Sequence, residues 1–208
     1  MRLSVSILNS KDKINMIKTL NNTKISYIHI DVMDGLFVSQ KSLPSNEIIK
    51  LSPFSSKPLD IHLMVENPMY YIERIKELPN IDNITIHLEI NKDIKNILNK
   101  IKEYGFKRSL AIKPNTDINL LVPYLDIIDR ILIMTVEPGL GGQLFLENSP
   151  NRIKEIKKLI KDKNIELEVD GGINNQTINK VKDADISVVG SYITTSDNPA
   201  QRINDLLV

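Results

Sequence analysis

Eight short apolar runs alternate with eight amphipathic stretches along the chain. The runs lie at 2–8, 26–32, 58–63, 83–88, 108–112, 129–135, 165–169 and 186–190. The amphipathic stretches lie at 11–21, 45–52, 68–78, 92–104, 117–124, 149–163, 174–182 and 198–207. Short, nearly continuous runs of Ile, Val and Leu read as strands buried on both faces. Strands separated by helices must pair in parallel. In 149–163, Ile153, Ile156 and Ile160 share one helical face with lysines opposite, which describes a solvated helix covering a sheet. Eight such units in 208 residues predict one domain, residues 1–208, folded as a closed (β/α)8 TIM barrel with few insertions. A doubly wound open sheet is the alternative.

Composition narrows the partners. The formal net charge is +1 with both signs interspersed, so nothing favours nucleic acid or an anionic membrane. No apolar segment is long enough to span a membrane, and MRLSVSILNS reads as a first strand, not a secretory signal. The absence of cysteine excludes disulfides, thiolate nucleophiles and cysteine-ligated metals, and a cytoplasmic location is expected.

All three histidines lie on or beside apolar runs: His29 in ISYIHIDVMDG, His62 in PLDIHLM and His87 in NITIHLE. A fourth run, IELEVDGGI, ends in Asp170. In parallel folds, chemistry gathers at the carboxyl ends of strands. His29 and Asp31 are two apart and therefore share a strand face, which Met33 continues; Asp60, His62 and Met64 do the same. A lone strand histidine is commonly a satisfied core group. Several inward polar groups on neighbouring strands are not so easily dismissed, because leaving them unpaired is costly. His29, Asp31, His62 and Asp170 offer two imidazoles and two carboxylates, a set suited to Zn²⁺, Fe²⁺, Mn²⁺ or Co²⁺. His87 reads either as a donor to a neighbouring ligand or as a hydrogen-bonded core group.

Glycine is scarce, and six of the eight fall within 139–142, 171–172 and 190. MTVEPGLGGQLF, VDGGI and VVGSYI follow the sixth, seventh and eighth strands. Loops after strands seven and eight, together with a helix N-terminus, form the recurrent phosphate grip of βα barrels, because glycine lets backbone N–H groups approach phosphate oxygens closely.

HIDVMDGLFV, DIHLMVENP, HLE, MTVEPGLGGQLF, EVDGGI and VVGS, in this order, closely resemble the ribulose-phosphate 3-epimerase family, from SIL at 6–8 to the final strand. The resemblance implies a barrel of the ribulose-phosphate-binding type. It also implies one divalent metal ion per subunit held by His29, Asp31, His62 and Asp170, with Asp31 and Asp170 as the acid/base pair. Ser6 and His62 match substrate contacts, and Gly139, Leu140, Gly141, Gly142, Gly171, Gly172, Gly190 and Ser191 match the phosphate-side loops. Met33, Met64 and Met134, which otherwise read as core residues, match a methionine cap around the reacting carbons.

The implied reaction inverts C3 of D-ribulose 5-phosphate to give D-xylulose 5-phosphate, through a metal-stabilised enediolate, in the pentose phosphate pathway. The implied partners are a small sugar phosphate and further copies of the chain in a homo-oligomer. The chain departs from the family at Ser39 and Gln40, at Ser42, Leu43 and Pro44, at Leu140 in place of Phe, and at Tyr192, Ile193 and Thr194. These departures bear on pocket shape and assembly more than on chemistry. A C3 epimerase of a six-carbon ketose phosphate such as allulose 6-phosphate is one alternative, although HLE and GGQ favour the pentulose. A lyase would need Asp-x-Lys-x-x-Asp, and Asp31-Val-Met-Asp34 has no lysine. The remaining alternative is a non-catalytic sugar-phosphate-binding barrel.

Overall fold

A computed structural model describes residues 1–207. Nine strands form its sheet: β1 Arg2–Ser6, β2 Tyr27–Asp34, β3 Lys41–Ser42, β4 Leu59–Met64, β5 Ile81–His87, β6 Lys107–Ile112, β7 Arg130–Met134, β8 Glu166–Asp170 and β9 Ile186–Val189. All but β3 pair in parallel. β1 pairs with both β2 and β9, so eight strands close into a barrel. The predicted (β/α)8 architecture is the observed one. Short β3, which the sequence reading missed, adds antiparallel to the end of β2 through Met33↔Ser42 and Asp34↔Lys41.

Each strand sends alternate side chains to opposite faces. On β2, Ile28, Ile30 and Val32 are fully buried and join the continuous core formed with the helices. His29, Asp31 and Met33 take the other face and enter the barrel. Register then decides which of them meet. β2 and β4 align His29↔Asp60, Asp31↔His62 and Met33↔Met64, while β7 and β8 align Met134↔Asp170.

The covering helices are α1 Lys13–Asn21, α2 Ser45–Leu51, α3 Pro68–Ile75, α4 Ile94–Glu103, α5 Ser149–Leu159, α6 Ser191–Thr194 and α7 Pro199–Leu206. In α4 the Asp93 carboxylate caps the helix by accepting from the Asn96 amide, and Ile94, Ile97, Leu98 and Ile101 face the core. That spacing is one helical stripe, and the acidic cap satisfies an otherwise orphaned amide.

Two expected helices are only short 3-10 segments, Ile118–Tyr124 and Ile178–Val181. Pro123 removes a backbone donor inside the first. Ahead of the second, Asn174 Oδ1 accepts from the Gln176 and Thr177 amides, a local turn that competes with helix formation. The α6 turn directly after β9 was not anticipated. Among the described residues, no helix is long and apolar enough to cross a membrane.

Candidate active site

At the carboxyl end of the barrel, His29, Asp31, His62 and Asp170 each bring one ligand atom into a group whose members all lie within 4.8 Å of one another. His29 Nε2 stands 3.4 Å from Asp31 Oδ1 and 3.9 Å from Asp170 Oδ2. His62 Nδ1 stands 3.3 Å and 3.6 Å from the same two oxygens. Neither imidazole nitrogen makes a hydrogen bond, and both are buried. Two orphaned nitrogens facing two carboxylate oxygens is a donor set that fits a divalent cation.

The electrostatics agree with that fit. Burial pushes the Asp31 carboxyl up, but His29 and His62 outweigh it and hold Asp31 well below the usual carboxylate range. Burial opposes charge on His29, yet Asp31 and Asp60 raise it well above an ordinary histidine. His62 is raised against burial by Asp170 and Asp31. A cation bound here would compete with protons on the imidazoles.

The other nitrogen of each ligand ring is anchored. His29 Nδ1 is 2.8 Å from Asp60 Oδ2. Asp60 also accepts from Ser4 Oγ at 2.9 Å, Asn83 Nδ2 at 2.8 Å and Arg130 Nη1 at 3.2 Å. Arg130 is fully buried and reaches Glu168 Oε2 at 3.1 Å as well. Burial, with Asp60 nearby, raises Glu168 to about 8. His62 Nε2 is 2.9 Å from His87 Nε2, and His87 Nδ1 is 3.1 Å from Glu89 Oε2. His87 therefore lies behind a ligand and not in the ligand group.

A cavity of about 330 Å³ opens above the centre. Of the expected ligands, substrate contacts, loop residues and methionines, only His29 and His62 do not line it; they are fully buried. Asp31 and Asp170 belong both to the ligand group and to the cavity wall. Ser6 Oγ donates to Asp31 Oδ2 at 2.6 Å, leaving Oδ1 toward the histidines. Met33 and Met64 pack with Val38, while Met134 packs separately with Ala111, Leu132 and Val136. The three methionines thus form two apolar wall patches.

Gly139, Leu140, Gly141, Gly142, Gly171, Gly172, Gly190 and Ser191 also line the cavity. Gln143 braces the first of these loops by donating to the Glu137 and Leu140 carbonyls. Gly171 and Gly172 have φ of +121° and +68°, and a Cβ there would meet Val136 at 2.3 Å and the Phe145 amide nitrogen at 2.6 Å. Only glycine fits such positions.

Sequence reading placed Asp60 on the shared face but gave it no role, and it missed Glu89, Arg130 and Glu168. Asp60 and Glu168 carried a usable signal, each lying two residues from a ligand on its own strand. Asn9, Tyr192 and Thr195 also line the cavity; of these only Tyr192 was singled out.

Fold and site together define a (β/α)8 barrel with a His/Asp centre of metal-binding geometry beneath a glycine-walled cavity. The model of the Ribulose-phosphate 3 epimerase family matches residues 2–194, and the chain belongs to that family. It is 34% identical over 211 residues to the ribulose-phosphate 3-epimerase of Helicobacter pylori (strain J99), covering 99% of this chain and 96% of the relative. It is 32% identical over 197 residues to that of Bacillus subtilis (strain 168), covering 92% and 90%. Among solved structures, a mutant tryptophan synthase alpha-subunit from Pyrococcus furiosus superposes with a TM-score of 0.75 at 14% identity, covering 99% of this chain and 96% of that one. That likeness shows the fold alone.

Proposed function

We propose that this chain is a metal-dependent isomerase that interconverts D-ribulose 5-phosphate and D-xylulose 5-phosphate by inverting C3. The observation that carries this is the double membership of Asp31 and Asp170, which sit in the ligand group and also line the cavity. Family membership and the names of the relatives support the substrate.

The proton on C3 is acidic because the carbon adjoins the C2 ketone. One divalent ion per subunit, held by His29, Asp31, His62 and Asp170, would act as a Lewis acid and stabilise the negative charge that develops as this proton leaves. Inversion requires a proton to leave one face of C3 and another to arrive on the opposite face. Asp31 on β2 and Asp170 on β8 supply two carboxyl groups from separate strands. Asp31 accepts in one direction while Asp170 donates, and the roles exchange in reverse. Ser6 holds Asp31 in place through its 2.6 Å hydrogen bond.

Met33, Met64 and Met134 supply apolar walls that limit water around the reacting carbons. The glycine loops bind the phosphate through backbone N–H groups.

The test is turnover of D-ribulose 5-phosphate in D₂O followed by NMR, with metal-stripped protein as control. Xylulose 5-phosphate carrying deuterium at C3, formed only with metal, is expected. Metal-replete protein that leaves the pentulose untouched overturns the assignment and directs the search to six-carbon ketose phosphates.

A further inference from the structure

Resting on the metal-centre reading above, we infer that His87 and Glu89 are positioning residues that pin the lasting proton of His62 on Nε2, so that Nδ1 is the nitrogen given over to the metal. Glu89 is fixed by groups outside the ligand set. Its Oε1 accepts from the Lys113 amide at 2.7 Å and from Thr116 Oγ1 at 2.5 Å. Arg152 holds that segment from α5 by donating to the Lys113 and Thr116 carbonyls at 3.3 Å and 2.8 Å. The carboxylate is therefore fixed, with Oε2 left to face His87 Nδ1 at 3.1 Å.

A carboxylate accepts and does not donate, so His87 must carry its proton on Nδ1. Its Nε2 is then a lone pair, 2.9 Å from His62 Nε2. Two lone pairs cannot face each other at that distance, so His62 must carry its proton on Nε2. That makes His62 Nδ1 the nitrogen a cation takes over, and Nδ1 is the atom 3.3 Å from Asp31 and 3.6 Å from Asp170. Every proton in the relay is assigned by its neighbour. His29 reaches the same outcome in one step, through Asp60. Phe37 packs against the His87 ring with centroids 4.7 Å apart, so that ring does not turn freely.

The relay can be reversed with a single isosteric change. In Glu89→Gln, the Lys113 amide and the Thr116 hydroxyl still need an acceptor, so the new carbonyl oxygen stays with them. The new NH₂ is left facing His87 Nδ1. His87 then moves its proton to Nε2, His62 moves its proton to Nδ1, and the metal site is blocked by hydrogen. A support role in packing predicts no such reversal.

The experiment is Zn²⁺ titration of metal-stripped wild-type and Glu89→Gln protein against a chromogenic chelator. Ring ¹⁵N spectra of both, with and without Zn²⁺, accompany it; with only three histidines in the chain, each ring nitrogen can be assigned. In wild type, protons are expected on His87 Nδ1 and His62 Nε2. In Glu89→Gln, Zn²⁺ affinity is expected to fall about 10- to 100-fold, with the His87 proton moved to Nε2. Wild-type affinity in a folded Glu89→Gln protein overturns the inference while leaving the metal centre intact. A wild-type His87 protonated on Nε2 and bare on Nδ1 overturns it whether or not the variant folds. A wild-type protein that binds no Zn²⁺ overturns the metal centre itself, and this inference with it.

Discussion

His29 Nδ1 and Asp60 Oδ2 lie 2.8 Å apart, both fully buried, and this pair joins the candidate metal centre to the charged floor of the barrel. The same carboxylate holds Arg130 at 3.2 Å. Asp60 therefore orients a ligand on one side and neutralises a buried cation on the other. Asp60→Asn is expected to lower Zn²⁺ affinity about 10- to 100-fold, because a carboxylate partner both orients the ring and raises its basicity. It should also destabilise the metal-free fold, because Arg130 loses one counter-charge. Zn²⁺ titration and urea unfolding of the variant check the two effects separately.

Asp31→Asn and Asp170→Asn are each expected to lower kcat by at least about 10²- to 10⁴-fold, the usual contribution of a positioned acid or base. The circular dichroism spectrum should stay that of a folded barrel. Steady-state kinetics run beside Zn²⁺ titration separate lost proton transfer from lost metal. Near-wild-type turnover in either variant would contradict the assignment.

Gly172→Ala places a methyl group 2.6 Å from the Phe145 amide nitrogen at a φ of +68°. Neither backbone can yield cheaply, so a loss of about 1–3 kcal/mol is expected from overpacking and strain. Chemical denaturation measures it; unchanged stability would mean that the two loops part easily.

Glu168 is raised to about 8 by burial and by Asp60. A carboxyl group raised in the folded state contributes stability that is complete below its unfolded value, about 4.3. That contribution is lost as pH rises toward 8. Glu168→Gln cannot ionise and should gain stability relative to wild type between pH 5 and 9. Paired unfolding curves in chelator across that range test it, and a constant difference would place the charge elsewhere.

His29 and His62 are both raised in the metal-free protein, His29 by Asp31 and Asp60 and His62 by Asp170 and Asp31, in each case against burial. Their contribution to metal-free stability is present below the ordinary histidine value, about 6.5, and fades as pH rises through the raised values. A cation competes with those same protons. The increase in Tm on adding Zn²⁺ should therefore be larger at pH 8 than at pH 6. Thermal melts at the two values decide it, and an equal shift would mean that no proton leaves on binding.

Much of this protein is written locally. Alternation of apolar runs with helical stripes is set by neighbours a few residues apart, so eight βα units were legible before any contact was known. The two-residue spacing of His29 with Asp31 made their common face legible for the same reason, and the glycine loops showed themselves through sheer scarcity elsewhere. Barrel closure, by contrast, depends on the pairing of β1 with β9 across nearly the whole chain. The roles of Asp60, His87 and Glu89 depend on register and on which ring nitrogen faces which oxygen. The Arg130–Glu168 pair depends on two neighbouring strands meeting in register inside the closed barrel, where both side chains are fully buried. Side-chain periodicity is a property of a segment, and the sequence determines it directly. Hydrogen-bond direction and the sharing of charge inside a barrel arise only when distant segments are brought to within about 3 Å, and only the tertiary structure decided those.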